Sequence, residues 1–295
     1  MSQQIRMDDR SRADDPEAQD GVHNILPDLA YQRLAIANVV FVGLPRAGDL
    51  GWVLVDAGLM GTAGAILRAA AARFGEGSRP SAIVLTHGHF DHVGALEELA
   101  EHWDVPVWAH ELETPYLNGS ASYPPADPTV GGGMMAWLSR FYPRGPVNVG
   151  SRLNQLPADG SIPVMPGWRW IHTPGHTPGH ISLWRPEDRT LIAGDAFITT
   201  RQESAYAVAL QKPELHGPPM YYTQDFEKAR GSVQSLADLE PETVVTGHGR
   251  PMQGAGLRSA LHQLAGQFDE LAVPESGRYV LQPANIESGT AYQAP

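Results

Sequence analysis

Thr86-His87-Gly88-His89-Phe90-Asp91-His92 is the stretch on which the reading of this chain turns. It follows directly on Ser81–Leu85, a short β-branched and apolar run with the composition of a buried strand. Residues two apart in an extended loop point the same way, so the imidazoles of His87 and His89 can meet at one metal ion. Asp91 and His92 lie where the chain turns into a helix, from which they can face a second ion beside the first. Gly88 brings no side chain to crowd the site. The bland alternative is a solvated His-rich loop, but this spacing rarely arises by accident.

Three further strand ends carry the same residue types. His172-Thr-Pro-Gly-His176-Thr-Pro-Gly-His180 follows the run Trp168–Ile171, and its Pro and Gly residues hold the backbone stiffly. Of its histidines, one is expected to bind metal. Ala193-Gly194-Asp195 ends another strand, and a carboxylate, unlike an imidazole, has two oxygens with which to bridge two ions. Thr246-Gly247-His248-Gly249 follows a third. A single His after a strand is most often structural, but four strand ends that each deliver ligand-type residues reverse those odds.

Outward from these motifs, Ile36–Gly43 and Trp52–Asp56 read as strands separated by the turn residues Pro45–Gly51. Thr62–Phe74 and Val93–His102 read as helices, and Val105–Ala109 as the next strand. Strands are predicted again near Trp168–His172, Ile181–Trp184, Thr190–Ala193 and Thr243–Val245, with helices over Phe226–Leu239 and Leu257–Leu271. This alternation favours a layered α/β architecture. Residues 112–150 interrupt it with many Pro, Gly and aromatic residues and a short apolar helix over Met134–Tyr142; residues 199–223 form a second irregular stretch. The organisation expected is a disordered polar tail over residues 1–22, one catalytic domain over 23–275, and a C-terminal tail over 276–295.

Composition narrows the partners. The 33 acidic residues outnumber the 21 basic ones, for a formal charge of −12, and an acidic surface repels nucleic-acid phosphates. The absence of cysteine excludes disulfides, thiol catalysis and thiolate-bound metal. Any transition-metal site must use His, Asp or Glu. No apolar run approaches the roughly 20 residues that span a bilayer, and the polar N-terminus has no signal-peptide core. A cytoplasmic protein with a small-molecule substrate is expected, with no nucleic-acid or membrane partner, and with a homodimer as a possibility.

From about residue 34 to 272 the chain resembles the metallo-β-lactamase-fold superfamily of hydrolases. The matching features, in the family's order, are Asp56 in Val-Asp-Ala-Gly, the His87/His89/Asp91/His92 signature, His176, Asp195 and His248. The resemblance implies a four-layer αββα sandwich with the metals at one edge of its two sheets. It implies that His87, His89 and His176 hold one divalent ion, that Asp91, His92 and His248 hold another, and that Asp195 bridges them. Zinc is the first expectation for both, with iron or manganese as alternatives. Asp56 would orient the ligand loop without binding metal, and His180 matches a family position that is not a ligand. His172 and His110 are assigned to packing or hydrogen bonding. Two ions about 3.5–4 Å apart bring the pKa of a bridging water toward neutrality. The hydroxide attacks the substrate, and Asp91 and Asp195 are the catalytic carboxylates, Asp91 handling the proton. No Ser stands in a G-x-S-x-G elbow.

Departures from the family's branches narrow the choice. True β-lactamases of this fold generally lack the bridging carboxylate, flavin–diiron oxidoreductases carry Glu where this chain has His89, and nucleases of the fold use basic surfaces. Glyoxalase II and the acyl-homoserine-lactone lactonases share all seven ligands. The former typically has Tyr where this chain has Arg250, and the latter Tyr where it has Ile198. The reading is a glyoxalase II-like or lactonase-like hydrolase of a small ester, thioester or lactone. Tyr221 and Tyr222 are candidates to supply a phenol, and Ile198, Trp137 and Phe141 to line the substrate pocket. Residues 112–150 then serve as a lid or a subunit interface. The main alternative is a sulfur dioxygenase of the same fold, with one iron on His87, His176 and Asp195; phosphotriesterase or β-lactamase-type activity comes after it.

Overall fold

Parallel neighbouring strands need a crossover of a dozen or more residues, usually a helix, and that requirement organises the half of the chain that carries the His87–His92 loop. A computed structural model describes residues 5–15, 21–210 and 212–295. The chain falls into two units, one of Asp14–Ser122, Gly145–Pro166 and Ala294–Pro295, the other of Met1–Ala13, Tyr123–Arg144 and Gly167–Gln293.

The first unit holds a seven-stranded sheet in strict chain order: Val22–Leu26, Leu29–Leu34, Ala37–Val42, Val53–Val55, Ala82–Val84, Val107–Ala109 and Leu153–Gln155. The first four strands pair antiparallel and the rest parallel. Helix Ala63–Phe74 makes one crossover. Its buried residues Ala63, Ile66, Ala69, Ala70 and Phe74 recur at helical spacing, so one face packs on the sheet. Trp52 stacks on Phe74 with ring centroids 4.3 Å apart, and both lie in a core with Phe41, Leu54, Ile83 and Leu99. The next crossover was expected as one helix from Val93. The structure places two there, Phe90–Val93 and Leu96–Trp103, separated at Gly94 and Ala95. Strands Val53–Val55, Ala82–Val84 and Val107–Ala109 run in one direction, so the residues that follow them, Asp56, Thr86–His92 and His110–Glu113, emerge at one sheet edge.

The second unit holds a five-stranded sheet in the order Met252–Gln253, Thr243–Thr246, Thr190–Gly194, Ile181–Arg185, Arg169–His172. Thr190–Gly194 runs parallel to Thr243–Thr246, so Asp195 and His248 leave the sheet at the same edge. Helices Phe226–Ala237 and Gly254–Gly266 pack a core with Leu191, Phe197, Val233, Leu257 and Leu261. The single helix expected to Leu271 breaks at Gln267, and a short helix Phe268–Leu271 follows.

Both ends of the chain differ from the tails expected. Ile5–Arg6 forms a strand antiparallel to Glu214–Leu215, because Ile5 has an apolar site to fill beside Leu215 and Met252. Residues 1–4 and 16–20 of that expected tail lie outside the described residues. At the other end, Tyr279 is buried against Phe226 and Ala284, its hydroxyl donates to the Pro125 carbonyl at 2.6 Å, and the Arg278 N–H donates to Asp127. Burial alone would raise the Asp127 pKa, but hydrogen bonds from Thr129 and Arg278 outweigh it and hold the carboxyl below its ordinary value. Burial raises the Tyr279 phenol pKa. Residues 112–150 do not behave as one insertion either. Residues 123–144 belong to the second unit and the flanks to the first, with the Tyr123 N–H bonded to the Arg144 carbonyl at 2.9 Å where the excursion closes.

Candidate metal centre

In the first unit the ligand-type residues are wired to one carboxylate. Asp56 sits at φ 61, a left-handed conformation uncommon outside glycine. That turn aims its oxygens back along the sheet edge. Oδ1 accepts the Thr86 backbone N–H at 2.8 Å, and Oδ2 accepts the Thr86 hydroxyl at 2.8 Å and His92 Nδ1 at 2.8 Å. Because the Thr86 hydroxyl proton goes to Asp56, its oxygen is left to accept from His87 Nδ1 at 3.1 Å. Both imidazoles are therefore Nδ1–H tautomers, and each presents its Nε2 lone pair as the donor a metal needs. His87 lies 4.7 Å from His89 and 4.2 Å from His92, ring centroid to centroid, and all three are buried. His89 caps the helix Phe90–Val93, which carries Asp91 in its first turn and His92 in its last. Gly94 lets this helix pass beneath the preceding loop, since a Cβ there would stand 2.2 Å from the Met60 nitrogen.

In the second unit two ligand-type histidines converge on one carboxylate oxygen. Asp195 Oδ2 lies 3.0 Å from His248 Nε2 and 3.4 Å from His176 Nε2. Their supports are neutral groups. The Thr223 hydroxyl donates to the Pro219 carbonyl at 2.8 Å and faces His176 Nδ1 at 3.4 Å, where it can only accept. The Asp195 backbone N–H donates to His180 Nε2 at 2.8 Å, which requires that His180 carry its proton on Nδ1, beside the Thr173 carbonyl at 3.1 Å. His180 thus holds the Asp195 turn and has no nitrogen left for a ligand bond. Gly175, at φ +130, presses against the helix start: a Cβ there would meet the Ala229 nitrogen at 2.2 Å. Thr199 N–H donates to the His248 carbonyl at 3.0 Å and fixes the last loop.

His172 bonds the Pro178 carbonyl through Nε2 at 2.8 Å, and His110 caps a short 3-10 helix by accepting the Leu112 N–H at 3.2 Å. Neither joins the clusters above. Tyr221 and Tyr222 are buried, 5.1 Å apart and each 6.5 Å from Tyr142. Ile198 is buried in a bridge with His216. Trp137 and Phe141 are exposed, with the Arg140 guanidinium 4.7 and 5.8 Å from their ring centres. The supports Thr86, Thr173 and Thr223 and the carboxylate of Glu113, which accepts the Gly88 N–H at 3.0 Å, were not found from sequence. Thr86 and Thr173 stand inside the quoted motifs, and their roles were within reach of that reading. Glu113 and Thr223 are distant in sequence and carry no local signal.

Residues 33–248 match the family model described as Metallo-beta-lactamase superfamily, and the match ends on the last ligand-type residue, His248. The probable metallo-hydrolase YflN of Bacillus subtilis (strain 168) is 50% identical over 255 residues, which cover 86% of this chain and 94% of that protein. TTHA1623, solved in a di-iron-bound form, is 26% identical with a TM-score of 0.50, covering 78% of this chain and 92% of its own. A beta-lactamase domain protein from Burkholderia ambifaria aligns with a TM-score of 0.61 at 20% identity, over 87% of this chain and 79% of its own. These likenesses bear out the α/β sandwich fold expected from the sequence.

Proposed function

The chain belongs to the metallo-beta-lactamase superfamily, and on that premise we propose that it is a dinuclear metal-dependent hydrolase of small esters, thioesters or lactones. The observation that carries this reading is the donor set. Three groups of buried residues have the make-up to share an ion: His87 with His89 and His176, His87 with His92 and Asp195, and Asp91 with His92 and His248. The seven side chains are more than one ion uses, which argues against a mononuclear iron centre. All are nitrogen or oxygen donors, a set that suits zinc, iron or manganese. The di-iron state of TTHA1623 belongs to that protein and supports a count of two here.

His87, His89 and His176 would hold one ion and Asp91, His92 and His248 the other, with Asp195 offering an oxygen to each. Such ions, when bound, supply a water activated near neutral pH and polarise the substrate's carbonyl oxygen. The chain's own part is positioning and proton handling. The Asp56–Thr86 relay keeps His87 and His92 in the tautomer that binds. His180 holds the Asp195 turn. Asp91, buried in the first turn of its helix, would accept a proton from the attacking water on a carboxylate oxygen and return it to the departing alkoxide or thiolate. Among the described residues no helix is long and apolar enough to cross a membrane, and a small-molecule substrate is the partner proposed.

The test is metal quantification by mass spectrometry on protein purified without chelator, followed by assays with an aryl acetate, an S-acyl thiol and a γ-lactone. Close to two transition-metal ions per chain, with turnover of at least one of these substrates, is the expected result. A single iron with full activity would overturn the dinuclear hydrolase.

A further inference from the structure

Glu113 is fully buried at the end of the 3-10 helix Glu111–Glu113, at the edge of the sheet where the His87–His92 loop also emerges. The route to that place is set by the fold. Ala82–Val84 and Val107–Ala109 are parallel neighbours, and the Leu85 N–H bonds the Trp108 carbonyl at 2.9 Å, so the two chain segments leave the sheet side by side. His110 then caps the 3-10 turn, and Pro115 starts the helix Thr114–Leu117 just after it. Between these two fixed points the Glu113 side chain turns back, and its Oε2 accepts the Gly88 backbone N–H at 3.0 Å.

Gly88 is the residue between His87 and His89. Its N–H faces inward, and the peptide that carries it sets the angle between the two imidazoles, which stand edge to face at 90° and 4.7 Å. Asp56 and Thr86 hold the His87 and His92 rings through their Nδ1 atoms, whereas the Glu113 bond is made to the backbone between His87 and His89. Burying a carboxyl is costly unless its oxygens are engaged, and here the cost falls at a point where the backbone between two ligand-type residues needs a fixed acceptor. Resting on the metal-centre reading above, we propose that Glu113 is a positioning residue. Its carboxylate oxygen clamps the Gly88 peptide and so sets the bite of the His87–His89 pair on the metal.

The proposal is tested on full-length protein stripped of metal and reloaded with Co(II) or Zn(II). Affinity is read by competition with a chromophoric chelator, ligand geometry by the Co(II) visible absorption spectrum, and folding by melting of the metal-free protein. Glu113→Asp keeps the charge but withdraws the oxygen by one methylene; it is expected to weaken affinity about tenfold, at the low end of what groups supporting metal ligands contribute, and to shift the Co(II) spectrum. Glu113→Gln retains an acceptor oxygen and is expected to stay within about threefold of the parent with its spectrum preserved. Glu113→Leu is expected to be at least as impaired as Glu113→Asp; if it does not fold, the Asp and Gln pair still decides. Parent-like affinity and spectrum in Glu113→Asp, with only a lower melting temperature, would overturn the proposal. So would a loss in Glu113→Gln as deep as in Glu113→Asp, since charge and not the clamp would then matter. A parent protein that binds no metal would instead defeat the metal-centre reading itself.

Discussion

The loop at residues 86–92 and the three strand ends at His176, Asp195 and His248 contribute to the same proposed centre by different means. The first packs four donors into six positions and wires two of them to a single buried carboxylate, Asp56, with Thr86 as intermediary. The second gathers its donors from three separate loops, each held by a neutral contact: a hydroxyl for His176, an imidazole for Asp195, a backbone bond for His248. Hydrogen bonds to a charged acceptor are stronger than neutral ones. The first region is therefore the stiffer template, and the second gains its order from close backbone packing, as at Gly175 against Ala229.

The sharpest way to break this comparison is at Asp195, the carboxylate of the more loosely supported region. Asp195→Ala removes the oxygen on which His176 and His248 converge at 3.4 and 3.0 Å. Metal content should fall below two per chain, and turnover should drop by a factor on the order of a thousand or more, because a metal-centred contribution is worth several kcal/mol of barrier. Metal analysis and steady-state kinetics on the same preparation check this, and an Asp195→Ala protein with parent metal content and rate would show that the residue has another role.

The same contrast explains what could be read in the sequence. The 86–92 loop was legible because its donors are contiguous and sit behind an apolar strand. The strand ends at Asp195 and His248 were legible only through the strands before them, Thr190–Gly194 and Thr243–Thr246, which are short and made largely of apolar and β-branched residues. Strands Val22–Leu26 and Leu29–Leu34 were not found, since Val-His-Asn-Ile-Leu and Leu-Ala-Tyr-Gln-Arg-Leu mix polar and apolar residues without clean alternation. Leu153–Gln155 was missed for its brevity and its exposed, polar edge position. The break at Gly94 and Ala95 is tertiary in origin: helical periodicity continues through it, but the Gly94 N–H donates to the Gly58 carbonyl at 2.7 Å and the His92 carbonyl accepts the Ala57 N–H at 2.6 Å. The supports Glu113 and Thr223 are contacts across long sequence separation, which no local pattern encodes.

A paired substitution of the supports sharpens the comparison. Asp56→Asn leaves one oxygen to serve three donors, the Thr86 N–H, the Thr86 hydroxyl and His92 Nδ1–H. An unsatisfied buried donor costs about 1–3 kcal/mol, so stability should fall by that order and metal affinity by roughly 10–100-fold. Thr223→Val removes a long contact of 3.4 Å to His176 together with the hydroxyl's bond to the Pro219 carbonyl, which does not involve a ligand-type residue, and its affinity loss should stay below about tenfold. Chelator competition ranks the two. Thr223→Val as damaging as Asp56→Asn would mean that the second region depends on its hydroxyl more than the geometry implies.

The smallest effect is expected at Trp137, in the segment that was read from sequence as a lid or an interface. Met134, Trp137 and Phe141 are 58%, 52% and 70% exposed, and the Arg140 guanidinium lies over two of the rings. Exposed apolar groups gathered in one place mark a surface that meets something. Within the same unit a run of contacts leads from this segment toward a ligand-type residue: Tyr142 packs on Tyr221 and Tyr222, and the adjoining Thr223 faces His176. We therefore propose that the segment forms an apolar wall of the substrate site, with a homodimer contact as the competing role. Trp137→Ala removes a half-exposed indole, so its contribution should be near 1 kcal/mol, or about fivefold in KM. The loss should grow with the length of the substrate's acyl chain, while kcat and metal content stay at parent values. Kinetics across a series of acyl lengths, with light scattering on the same samples, separates the two roles. A shift from dimer to monomer with unchanged chain-length preference would assign the segment to an interface and remove it from the substrate site.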